Sequence, residues 1–193
     1  MALARSRWKQ WQPNWDHRRL VFIDETGLNT QMTRLYRRAP RSERCLDRRP
    51  HGYWHTNTFI AALRHDRLDA PWLLDGPMNG QAFLVYVSQI LAPTLRTGDL
   101  VICDNLSSHK VSGVAQALEQ VGASLLYLPP YSPDLNPIEM AFSKLKALIR
   151  KQCARSFDEL FAAVADATGS FQRRTAPDSF VTPCMRQTKT KVL

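Results

Sequence analysis

Two five-residue runs, LVFID at 20–24 and LVICD at 100–104, each set four apolar side chains in a row and close on an aspartate. A run that short, ended by acidic or turn residues, reads as a strand buried within a sheet rather than as an amphipathic helix. Both aspartates, Asp24 and Asp104, can then face one edge of that sheet. Taken singly, an aspartate after an apolar strand has an ordinary explanation, since it commonly starts a turn or caps the next helix. Two of them in the same setting point further.

The remaining elements follow from periodicity and punctuation. TNTFIAAL at 56–63 and WLLD at 72–75 read as strands, with HDRLDAP as the turn between them, and another strand is expected near Leu35 and Tyr36. Asn79 can cap a helix reaching about Leu91, because Phe83, Tyr86, Val87, Ile90 and Leu91 recur at helical spacing and Pro93 follows. A second helix carries Val111, Val114, Leu118 and Val121 on one stripe and stops at Gly122; ASLLYL at 123–128 is the next strand. A proline-rich loop, 129–136, leads into a helix from Pro137 to about Cys153, and Ser156 with Glu159 makes a capping box for a last helix bearing Phe157, Leu160, Phe161 and Val164. Consecutive strands followed by strand–helix alternation call for an α/β fold, a mixed sheet with helices on its faces. The expected division is a basic connector or short helix outside the core at 1–19, with Trp8, Trp11 and Trp15 able to pack on the domain, one α/β domain at 20–170, and an irregular basic tail at 171–193.

Among 193 residues, Lys and Arg outnumber Asp and Glu by 26 to 17, a formal charge of +9, which favours a polyanionic partner such as nucleic acid over a membrane surface. No apolar run approaches the roughly 18 residues of a spanning helix, and the amino end lacks a signal peptide's apolar core, so a soluble, cytoplasmic protein is expected. Cys45, Cys103, Cys153 and Cys184 form no CxxC pair, which suggests neither a zinc site nor a disulfide framework. Residues 33–50 hold seven arginines, among them Arg34, Arg37, Arg38 and Arg41, a density that solubility alone does not require.

A third carboxylate, Glu139, lies just inside the helix after NP. Asn136 as cap, Pro137 at the first position and Glu139 at the third would make a capping box, and that would account for all three residues. The helix faces argue for more: Ile138, Phe142, Leu145 and Ile149 cover one side, while Glu139, Lys146 and Arg150 share a polar one. If Asp24, Asp104 and Glu139 converge, their repulsion calls for a cation, and an all-oxygen cluster suits Mg2+ or Mn2+. Two such ions can serve an in-line displacement at phosphorus without a covalent nucleophile.

FIDET around Asp24, CDNLSSHK around Asp104 and YSPDLNPIEMAFSKLK around Glu139 resemble the three catalytic blocks of mariner-superfamily DDE transposases, in particular the bacterial insertion sequence 630 family. The 34 residues between Asp104 and Glu139 are a spacing seen in that superfamily, and the likeness extends through MTRLYRRAP, HGYWHTNTFIAALRHD and LDGPMNGQAF. The resemblance implies an RNase H-like fold with a five-stranded mixed sheet, and a site of two divalent metal ions held by Asp24, Asp104 and Glu139. It also implies DNA cleavage at transposon ends followed by strand transfer into target DNA. His109 matches a recurrent family position and is, with Lys110, Lys146, Arg150 and the arginines Arg34, Arg37, Arg38 and Arg41, a candidate DNA contact; a structural histidine and solvated surface charges are the plainer readings.

Two departures bear on function. Family members usually carry helix-turn-helix modules ahead of the catalytic domain, and here about twenty residues precede the first catalytic strand; a separate helix-turn-helix polypeptide or a frameshifted fusion is one expectation and simple truncation the other, with a homodimer as the active complex. The tail, RRTAPDSFVTPCMRQTKTKVL, has neither helical nor strand periodicity, as a shifted reading frame would produce. The competing functions are an RNase H-like nuclease without strand transfer and a catalytically silent DNA-binding fragment.

Overall fold

The computed structural model describes residues 2–34, 36, 38–44 and 56–174. Helix α1 (Ala2–Trp11) precedes three strands, β1 (Leu20–Asn29), β2 (Thr56–Leu63) and β3 (Leu68–Asp75). Next come α2 (Gly80–Val85), which widens into a π-helical stretch over Tyr86–Leu91, then β4 (Leu100–Cys103), α3 (Val114–Gln120), β5 (Ser124–Tyr127), α4 (Ile138–Gln152) and α5 (Phe157–Arg174). The five strands form one sheet in the order β3-β2-β1-β4-β5. β1, β2 and β3 pair antiparallel as a meander, whereas β1–β4 and β4–β5 are parallel, so the expected mixed sheet is present.

Alternation along β1 divides the core. Leu20, Phe22 and Leu28, with Phe59 of β2, face a cluster of Phe142, Ile149 and Phe171 supplied by α4 and α5. Val21 and Ile23, with Ile60 of β2, face the opposite cluster of Phe83, Tyr86 and Leu118 supplied by α2, the π stretch and α3. Helices therefore cover both faces of the sheet, which explains why the central strands read as continuous apolar runs. On α4 the buried residues are Ile138, Ala141, Phe142, Leu145 and Ile149, the stripe that helical spacing demands, and Phe142 meets Phe59 edge-on with ring centroids 5.8 Å apart.

Several expectations change. β1 does not end at Asp24 but continues five residues further through polar positions, still paired with β2 out to Asn29 and Thr56. The strand expected near Leu35 and Tyr36 is not found at Tyr36, which is exposed and outside any strand; Leu35, Arg37, Cys45, Arg48, Arg49 and Cys184 lie outside the described residues. β3 starts at Leu68, inside the segment read as a turn, because a tighter connection closes through the Arg64 N–H donating to the Arg67 carbonyl at 2.9 Å. Pro71 is tolerated there because β3 is an edge strand and carries a register shift opposite Ile60–Ala62.

At the amino end, Trp8 is buried in the α4–α5 core and packs edge-on to Trp15 at 5.0 Å, so α1 contributes to the core instead of merely connecting to it. Phe157 and Phe161 of α5 are exposed, while Leu160, Ala163, Val164, Ala167 and Phe171 form its buried stripe. Ser156 Oγ accepts from the Glu159 amide at 3.2 Å, as the capping box requires, but the Glu159 carboxylate accepts from the Arg155 amide rather than that of Ser156.

Replacing Phe142 with alanine should cost about 3–5 kcal/mol by removing a buried ring between sheet and helix. Met140→Ala, two positions earlier on the exposed side of α4, should stay within about 0.5 kcal/mol. Denaturant unfolding of both variants measures the difference.

Candidate active site

The parallel pairing of β1 with β4 runs through Leu20–Leu100, Val21–Val101 and Phe22–Ile102 and stops there. Carrying that register on by two residues brings Asp24 alongside Asp104 at the carboxyl end of β4, where ligands of such sheets gather. Both aspartates line a cavity of about 480 Å3, together with Lys110, Tyr131, Asn136 and Glu139. The three carboxylates singled out from the sequence thus come from β1, from the segment after β4 and from the first turn of α4, and share one depression. Among the described residues they are not drawn into a closed three-ligand cage.

Each carboxylate is held differently. Asp24 accepts from the Glu25 amide at 2.8 Å with one oxygen and from the Asn136 side-chain amide at 2.9 Å with the other. Burial pushes its carboxyl up to about 7, against the backbone hydrogen bond, and the nearby charges of Glu25, Glu139 and Asp104 push it the same way. Asn136 was expected to cap α4 and exchange hydrogen bonds with Glu139; instead its amide turns to Asp24, and α4 starts without a side-chain cap. Glu139 is left exposed on the cavity wall, its own backbone N–H bonded to the Asn136 carbonyl at 3.4 Å.

Asp104 is braced by His109. The imidazole is fully buried, with Nδ1 against the Asp104 carboxylate and Nε2 3.0 Å from Glu25 Oε2, and its ring stacks on Phe83 at 4.2 Å. Burial works against the charged ring, but hydrogen bonds to Asp104, Cys103 and Glu25 outweigh it and push His109 up to about 12, so it is an imidazolium at neutral pH. This corrects its reading as a DNA contact, since a fully enclosed side chain has no surface to offer a phosphate. It ties the end of β4 to β1 through two acidic partners, and Tyr127 of β5 donates to its carbonyl at 3.1 Å.

The other basic candidates occupy three settings. Lys110 lies on the cavity wall with its ammonium 5.7 Å over the Tyr127 ring. Lys146 is half-buried on α4; burial and neighbouring Arg150 lower its proton affinity while Glu139 raises it, so the three do share the polar side of the helix. Arg34, Arg38 and Arg41 are exposed, and Arg37 lies outside the described residues.

Sequence reasoning passed over Glu25, Arg5 and the part of Asn136 that matters here. Arg5 of α1 holds the cavity loop from below, donating to Ser132 at 2.9 Å and to both oxygens of Asp134 at 2.9 and 2.6 Å. The signal for Glu25 was present in the DE dipeptide, but nothing local indicates a histidine 84 positions away.

Comparison with known proteins agrees with this architecture. No curated protein sequence matches significantly. Among solved structures, the Mos1 transposase paired-end complex with left transposon end aligns with TM-score 0.67 at 16% identity, covering 95% of this chain and 59% of that one. The Mos1 strand transfer complex aligns at 0.62 and 18%, covering 95% and 57%. The catalytic domain of Mos1 mariner transposase aligns at 0.60 and 14%, covering 95% and 89%. These likenesses establish the fold, and the chain spans somewhat over half the length of the Mos1 chains in the two complexes. The profile of the DDE superfamily endonucleases matches residues 19–161, which takes in Asp24, Asp104, Glu139 and every strand of the sheet. The chain belongs to the DDE superfamily endonuclease family.

Proposed function

We propose that this chain is the catalytic domain of a transposase of the insertion sequence 630 type, cutting DNA strands at transposon ends and joining the freed 3′ hydroxyl to target DNA. The observation that carries the reading is one cavity receiving three carboxylates from distant parts of the chain, the most buried of them pushed up to about 7. Burial of a carboxylate, together with repulsion from its acidic neighbours, weakens a fold unless a cation offsets it, and the all-oxygen donor set fits Mg2+ or Mn2+. A Mos1 mariner paired end complex has been solved with Mn. Asp24, Asp104 and Glu139 are the proposed ligands, and two bound ions would supply activation of the attacking oxygen and stabilisation of the leaving one.

The protein's part is orientation. The Glu25 amide and Asn136 fix both oxygens of Asp24, and the Glu25–His109 pair steers one oxygen of Asp104. Lys110 on the wall, Lys146 and Arg150 along α4, and Arg34, Arg37, Arg38 and Arg41 of the arginine-rich stretch after β1 are the proposed phosphate contacts, which set position rather than sequence preference. Recognition of transposon ends, a separate helix-turn-helix polypeptide and a homodimeric active complex belong to the same proposal. No described helix is long and apolar enough to cross a membrane.

Mixing the chain with pre-cleaved transposon-end DNA, plasmid target and Mg2+ or Mn2+ should give joined products, lost in Asp104→Asn by at least about a hundredfold. Cutting without joining would reassign it as a nuclease, and retained binding with neither reaction would make it a silent fragment.

The raised carboxyl of Asp24 sets a pH dependence. Between its ordinary value of 3.8 and about 7, the folded protein holds a proton that the unfolded chain has released. Stability of the metal-free protein should therefore fall as pH rises through that window. Asp24→Asn should flatten the slope and be more stable than the parent at pH 8 by about 2 kcal/mol, whereas Mg2+ should raise the parent's melting temperature at that pH and leave the variant's unchanged. Thermal melting across pH, with and without the ion, checks both signs.

A further inference from the structure

Tyr131 is placed where folding alone gives no reason to put an aromatic ring. Its side chain is 86% exposed, on the lip of the carboxylate cavity, and its backbone has φ of +53°, a left-handed conformation that bulky residues rarely adopt. A turn at this point would form more readily with glycine or asparagine. The loop that presents the ring is stiff. Pro129, Pro130 and Pro133 surround it, the Ser132 hydroxyl donates to the Pro130 carbonyl at 3.3 Å, and Arg5 of α1 pins Ser132 and Asp134. Leu106, half exposed, lines the same cavity on the segment that follows Asp104.

Electrostatics gives the ring a purpose. With no cation bound, a cavity lined by Asp24, Asp104 and Glu139 repels phosphate, and Lys110 is its one lysine or arginine wall residue among those described. Cations would offset that repulsion at the reacting phosphate alone, so the neighbouring nucleotide gains from an anchor that does not depend on charge. A flat side chain with few rotamers, fixed on a rigid loop, supplies it by stacking on a base, and base–aromatic stacking is indifferent to sequence. Unusual backbone conformations of this kind collect at ligand clamps.

We propose that Tyr131 is the platform on which one unpaired nucleobase stacks, next to the phosphate entering the cavity, with Leu106 as a second apolar edge. The inference rests on the transposase reading and deepens it: the strand enters locally unpaired rather than as intact duplex.

The test uses the full chain in Ca2+ and a short duplex with a 3′ single-stranded extension bearing 2-aminopurine at its first unpaired position, beside a blunt duplex of the same sequence. The parent should quench the 2-aminopurine fluorescence on binding. Tyr131→Ala should lose the quenching and bind the extended duplex about tenfold more weakly, with blunt-duplex affinity within about twofold, while Tyr131→Phe and Tyr131→Trp retain both. Tyr131→Gly relieves the left-handed backbone, so it should melt no lower than the parent yet lose the quenching, which separates stacking from loop shape. Parent-like quenching and affinity in the alanine and glycine variants would overturn the proposal, as would equal losses on blunt and extended DNA. Plasmid nicking in Mg2+ by the same preparations separates the two levels. A parent that nicks while the Tyr131 variants still quench sinks only the stacking role; a parent that neither binds DNA nor nicks sinks the transposase reading and this inference with it.

Discussion

Everything at the site depends on the parallel pairing of β1 with β4. Backbone hydrogen bonding in a parallel ladder fixes relative position along both strands to within a residue, and a slip of one would send Asp24 to the opposite face of the sheet. The pairing holds from Leu20–Leu100 to Phe22–Ile102, and both flanking faces are sealed by helices, so the register is set by Val21, Phe22, Val101 and Ile102 having no other place to go. Two carboxylates are thereby brought together by apolar residues buried within the sheet.

What the sheet brings close, local polar contacts keep apart enough to work. Three acidic side chains facing one cavity repel each other, and the rise of Asp24 to about 7 comes first from burial, with the charges of Glu25, Glu139 and Asp104 adding to it. Asn136 and the Glu25 amide hold Asp24 in place despite it, and the buried imidazolium of His109 offsets part of the charge between Glu25 and Asp104. The α1 helix takes part in the same arrangement. Trp8 anchors it in the core and Arg5 reaches from it to the loop that bears Tyr131, so the segment entering the domain and the rim of the cavity are mechanically one piece.

Much of this was legible in residues. The apolar runs around 20–24, 56–63 and 100–103 became strands because a strand sealed on both faces must be apolar, and the stripe on α4 was written at helical spacing. The polar half of β1, ETGLN, was missed because its pairing with β2 requires no apolar pattern on a stretch only partly covered. On α5 the large side chains Phe157 and Phe161 are exposed while Ala163 and Ala167 sit on the packed face, so hydrophobicity alone does not mark the buried side.

By itself the sequence determined which segments could be buried, and so the mixed sheet, the helices on both faces and the presence of acidic residues at the strand and helix ends near 24, 104 and 139. Those properties follow from the periodicity and local chemistry of neighbouring residues. Tertiary structure alone decided that Asn136 serves Asp24 and not its own helix, that His109 is enclosed between Glu25 and Asp104, that Arg5 grips the loop at 132–134, and that Tyr131 stands in solvent at the cavity rim. Each of these depends on contacts, or on their absence, between positions up to 129 residues apart, and no local pattern encodes which distant group a side chain will meet.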